Sequence, residues 1–123
     1  MNIIDKTLFA IQKINPNLNV TIGGEKNSTL EELTIIFENG NAIPKEQILA
    51  IIPQVELDMA METLRAKRNK ALADSDWAVL TDVPLEPAQK AAWMNYRTLL
   101  RNITNGLETT EQVKAVTLPI PPK

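Results

Sequence analysis

Apolar side chains recur at Ile4, Leu8, Ile11 and Ile14 on one helical face, so the spacing predicts a short amphipathic helix over residues 3–14. Asn15-Pro16-Asn17 should end it, because proline has no N–H to donate and its ring disfavours helical backbone in the residue before it. The period then changes. Leu18, Val20 and Ile22 alternate with polar neighbours, and so do Leu33, Ile35 and Phe37, which marks two half-buried strands. Gly23-Gly24 through Thr29 reads as the loop between them, and Asn39-Gly40 as the stop of the second. Strands joined this way most simply form an antiparallel hairpin, which needs a helix on one face to be stable.

The second half is helical in pattern. Ile43-Pro44-Lys45-Glu46 resembles a helix start with proline in the first turn. Ile48, Ile51, Ile52, Val55 and Met59, then Met61, Leu64 and Leu72, continue an apolar stripe to about Ala73, where Asp74-Ser75-Asp76 stops it. Pro53 lies inside this stripe and predicts either a kink or a split into two pieces. Trp77 to Leu85 has no helical period and contains Pro84, so an extended crossing is expected. A further helix should start at Pro87, with Glu86 at the cap and Gln89 three residues on. Its apolar face is Ala92, Trp93, Tyr96, Leu99, Leu100 and Ile103, and Asn105-Gly106 should close it. Leu118-Pro119-Ile120-Pro121-Pro122 cannot be helical.

The expected fold class is therefore α+β. A helix and β-hairpin occupy residues 1–43, two longer helices packed as a hairpin occupy 44–106, and an extended proline-rich arm occupies 107–123. The three parts are expected to form one compact domain, a size suited to a chain of 123 residues.

Composition narrows the chemistry. There is no cysteine and no histidine, which excludes disulfides, thiolate nucleophiles, ordinary structural zinc sites and histidine general bases. Glu31-Glu32 and the Asp74, Asp76, Asp82 set have nothing beside them to raise a carboxyl pKa, as acid–base work requires. Gly23–Thr29, GGEKNST, lacks the GxxxxGK[ST] spacing of a phosphate loop and joins strands instead of opening a helix. The net charge of −2 gives no general attraction to nucleic acid or anionic lipid. Arg65, Lys67, Arg68 and Lys70 form one basic cluster, but it suits a helix end and holds no aromatic for base stacking. No apolar run approaches the roughly 20 residues that span a bilayer, and Asp5 sits where a signal peptide would be apolar. An enzyme, a cofactor, a bound metal, a nucleic-acid partner and a membrane partner are all unexpected.

What remains is recognition. The segment Arg65–Arg101 holds Trp77, Trp93 and Tyr96, three of the five aromatics of the chain. Trp, Tyr and Arg dominate binding hot spots, so Trp77, Pro84, Trp93, Tyr96 and Arg97 are candidate partner-binding residues. Leu118 and Ile120 are candidate anchors in the arm, which polyproline backbone would hold ready for a groove. The alternative is that each Trp ring fills core between the helices.

Arg65-Ala66, Arg68-Asn69, Leu72-Ala73, Asp76-Trp77, Asp82, Pro84-Leu85, Gln89-Lys90-Ala91-Ala92-Trp93, Tyr96-Arg97 and Leu100-Arg101 together resemble the bacteriophage tail (fibre) assembly chaperones. That pattern covers about a third of the chain. Two places depart from it: Leu85-Glu86-Pro87 stands where a Thr or Ser usually opens the second helix, and the closing proline-rich stretch lacks a Trp. The layout of the N-terminal half is similar to that of small prophage proteins of the XkdW kind. The resemblance implies a non-enzymatic phage protein, acting in the host cytoplasm, that binds a tail fibre or neighbouring tail protein during assembly or attachment. It leaves self-association and retention on the virion tail open. A structural component of the baseplate or fibre joint and a small regulatory binding module are the competing readings.

Overall fold

A computed structural model describes residues 1–123. Its elements are α1 (Ile3–Ile14), β1 (Val20–Gly23), β2 (Thr34–Phe37), α2 (Lys45–Asp74), α3 (Pro87–Arg101) and α4 (Thr110–Ala115). Short 3-10 turns lie at Leu30–Glu32 and Asp76–Val79. The protein is mixed α+β and mostly helical, as the patterning predicts. It divides into two compact units, Met1–Asp58 and Met59–Lys123.

In the first unit, the Asn2 side chain caps α1 by accepting from the Asp5 N–H at 2.9 Å, which satisfies one of the helix's orphan amides. Thr7, Ala10 and Ile11 form the buried face. Thr7 is completely buried, yet its hydroxyl donates to the Ile3 carbonyl at 2.7 Å, so no polar group is stranded. The strands pair antiparallel with Val20 opposite Phe37 and Ile22 opposite Ile35. Those four side chains are half-buried on one face, while Thr21 and Ile36 point outward. Ile11 and Ile48 are fully buried, and Leu18, Leu30, Leu33, Ile52 and Val55 complete the core of this unit. Lys45 opens α2 with its ammonium on the carbonyls of Leu33 (2.8 Å) and Glu31 (3.0 Å), tying helix to hairpin. Surface ion pairs Lys6–Glu56 and Lys13–Asp58 join α1 to α2 and add little stability, being half-exposed.

The turn after β2 depends on Gly40, whose φ is +68°. A Cβ there would lie 2.6 Å from Leu18 Cδ2. Gly40→Ala is expected to cost about 1–2 kcal/mol, from left-handed backbone and from the displaced leucine. Chemical denaturation followed by circular dichroism would measure it, and an unchanged midpoint would refute it.

Of the two expectations at Pro53, helix α2 excludes the split. The helix is not split: it runs through Pro53 as one element of 30 residues. Pro53 removes the amide that would bond Leu49 O, but both residues are exposed, Leu49 at 57%, on the side of the helix where water can replace a missing donor. Pro53→Ala is expected to stabilise the protein by about 1–2 kcal/mol, by restoring this bond and removing the ring clash. A lower melting temperature in the variant would contradict it. The division between units also falls inside α2, not near residue 43. Ile48, Ile52 and Val55 belong to the core built on the hairpin, whereas Leu64 faces α4 and the tail.

In the second unit, three expectations are corrected. Trp77 does not begin an extended crossing, because Asp76–Val79 is a 3-10 turn and only the residues after it are irregular. Residues 107–123 are not an arm throughout: Thr110–Ala115 is helical and buries Val113. Thr109 caps this helix, its hydroxyl accepting from the Gln112 N–H at 3.1 Å while Gln112 Oε1 accepts from the Thr109 N–H at 3.1 Å. Leu99, assigned to the apolar face of α3, is 50% exposed, whereas Leu100 is fully buried. Helix α3 itself starts as predicted at Pro87, with Gln89 Oε1 accepting from the Glu86 N–H at 2.9 Å. No helix is long and apolar enough to cross a membrane.

Candidate partner-binding surface

The last carbonyls of any helix lack an internal partner, and the C-terminal end carries partial negative charge. At the end of α2 this need is met by Arg97, which reaches back from α3. One guanidinium nitrogen donates to Leu72 O at 2.7 Å and to Ser75 Oγ at 2.8 Å, and the other lies 2.9 Å from the Asp76 carboxylate. Ser75 is 2% exposed, and its hydroxyl passes the chain on to the carbonyls of Ala71 and Leu72. No buried side-chain nitrogen or oxygen lacks a hydrogen-bond partner. Arg97 thereby fixes where the chain leaves α2 and how the 3-10 turn is presented.

That turn buries Ala78 and turns Trp77, Val79 and Leu80 outward, at 45%, 44% and 57% exposure. Trp77 meets Trp93 edge-on, ring centroids 5.2 Å apart, and Trp93 meets Tyr96 edge-on at 5.7 Å. Such contacts are favoured by the ring quadrupoles. The three rings form a row from the interior, where Tyr96 is buried, through the half-buried Trp93 to the exposed Trp77. Trp77 is thus not core filling, and Trp93 only partly so.

Of the candidate recognition residues, Trp77 and Trp93 are brought together and Pro84 is exposed nearby in sequence. Tyr96 and Arg97 face inward and serve the fold, because one is closed in by packing and the other is engaged by α2. Leu118 is half-buried against a groove of its own unit, while Ile120 is 88% exposed. Sequence patterning missed Val79 and Leu80. The available signal was the apolar run Trp77-Ala78-Val79-Leu80, since a single turn of chain can bury only one side of such a run.

The basic cluster is largely solvated, with Arg68 half-buried. Lys70 pairs with Asp74 one turn on at 2.7 Å, and this hydrogen bond and charge raise the lysine pKa. A raised pKa means that the pair's small contribution holds below the ordinary lysine value and is lost as pH rises through the shifted one. No group of three or more Asp, Glu, His or Cys is arranged to hold a metal.

No curated protein and no solved structure matches the chain. A family model described as phage tail assembly chaperone protein matches residues 61–123. The match begins within the first turn of the second compact unit and ends with it, so the family pattern and the structural unit coincide. The matched unit makes up just over half of the chain, and the chain belongs to the phage tail assembly chaperone family.

Proposed function

We propose that this protein binds a tail fibre or a neighbouring tail protein in the host cell while the tail is assembled, and releases or attaches it without catalysis. Trp77, Val79, Leu80 and Trp93 make the contact, and the exposed Pro84 and Ile120 are further candidates. The observation that carries this reading is the 3-10 turn, which sends three large apolar side chains outward while Ala78 and the Arg97 network hold its backbone. An apolar surface held rigid loses little entropy on docking. Family membership places the role in tail assembly and makes another tail protein the natural occupant.

The test is co-expression with the fibre and adjacent tail proteins of the same phage, followed by affinity purification of this chain. One of them should co-purify, and Trp77→Ala combined with Leu80→Ser should weaken the complex about tenfold or more. Co-purification of no tail protein would refute the reading. A complex indifferent to the double substitution would move the contact elsewhere. Recovery of the chain in washed, purified particles would identify it as a lasting tail component instead of a released chaperone.

A further inference from the structure

The second unit holds another surface that shares no residue with the aromatic one. A groove of about 570 Å³ lies between the later part of α2 and the α4–tail segment. Leu64, Val113, Val116 and Leu118 supply apolar walls, and Lys67 and Lys114 supply the charge. No carboxylate lines it. Neither lysine is engaged in an ion pair, so both ammonium groups are available to a ligand in the groove. In a chain with a net charge of −2, a carboxylate-free apolar groove with two unengaged ammonium groups is a local reversal of sign.

We infer that this groove is a docking site for a short acidic–aliphatic peptide segment, of the kind in which one or two Leu, Ile or Val side chains are flanked by Asp or Glu. The aliphatic side chains lie against Leu64, Val113, Val116 and Leu118. The flanking carboxylates meet Lys67 and Lys114, which set the polarity of the segment and exclude basic ones. The volume accommodates two or three aliphatic side chains and not a folded domain, so the ligand is a segment in extended or single-turn form. The site is stated for the chain as it stands and does not depend on the aromatic surface being the tail-protein contact.

The experiment uses the full chain and two synthetic peptides of identical length, three leucines flanked on each side by two glutamates or by two lysines. Amide shifts in an NMR titration report the location, and the salt dependence reports the charge. The acidic peptide should move the amides of residues around Leu64, Val113 and Leu118 with a dissociation constant on the order of 100 μM. The basic peptide should bind at least about tenfold more weakly. Reversing both charges, Lys67→Glu with Lys114→Glu, should invert that preference. Lys67→Gln with Lys114→Gln should remove it while leaving the fold and the tail-protein complex unchanged. Equal binding of the two peptides, shifts confined to Trp77 and Leu80, or no shift by about 1 mM peptide would each overturn the proposal. Displacement of the acidic peptide by a short single-stranded oligonucleotide would overturn it too, because the groove would then be an anion site for phosphates.

Discussion

Arg97→Met should lower the stability of the second unit by about 3 kcal/mol, the upper end for losing hydrogen bonds to a charged group. Met keeps the packing of the aliphatic stem and removes only the guanidinium, which separates lost polar contacts from lost volume. Leu72 O would lose its Arg97 hydrogen bond, Ser75 Oγ would lose one of its own, and the Asp76 carboxylate would face the negative end of α2 alone. Arg97→Lys should recover less than half, since a point ammonium cannot reach three acceptors at once with the planar fork's geometry. For a unit of this size the Met variant should melt roughly 15 °C lower. Both tryptophans lie in the second unit, so intrinsic fluorescence reports that unit selectively while circular dichroism reports both. A fluorescence melt that does not move would show the Arg97 network to be decorative.

Trp93→Ala should cost about 3 kcal/mol, near the lower end for a large aromatic, because the ring is half-buried and sits between two edge contacts. Trp93→Phe should recover most of this by keeping an aromatic edge toward Tyr96. Trp77→Ala should cost at most about 1 kcal/mol in stability, its ring being 45% exposed, while weakening the partner complex strongly. The two tryptophans are thereby assigned opposite balances of folding and binding. Equal stability losses from the two alanine variants, measured by fluorescence-independent calorimetry, would sink that assignment.

Most of the fold was legible because its elements are long enough for period to show. α1, the two strands of the hairpin and α3 follow directly from the apolar spacing, and Gln89 at three residues after Glu86 marked the start of α3. Three features escaped for physical reasons. The 3-10 turn at Asp76–Val79 is four residues long, shorter than any period it could display. Helix α4 buries a single aliphatic, Val113, so its pattern is empty, and only Thr109 and Gln112 announced it. Pro53 leaves a kink and a split equally open in the sequence, and the helix continues because an exposed position beside water tolerates proline. At the candidate surface, the tryptophans were identifiable by residue type alone. That Arg97 points back to α2 was not, since its partners lie 22 and 25 residues earlier and no local spacing encodes such a reach.

The continuity of α2 through the division between units has a practical consequence for isolating the family module. A piece cut at the start of the family match would open at Met61, in mid-helix. Its first four amides would have no acceptor, and Met supplies no oxygen to cap them. Beginning a few residues earlier, at Glu56, places Glu56 and Asp58 in the opening turn, where negative charge suits the positive end of a helix. The longer piece should fold more completely than the shorter, although three of the five added residues, Glu56 to Asp58, belong to the other unit by packing. A module's sequence boundary and its smallest stable fragment therefore differ here by about one and a half turns of helix.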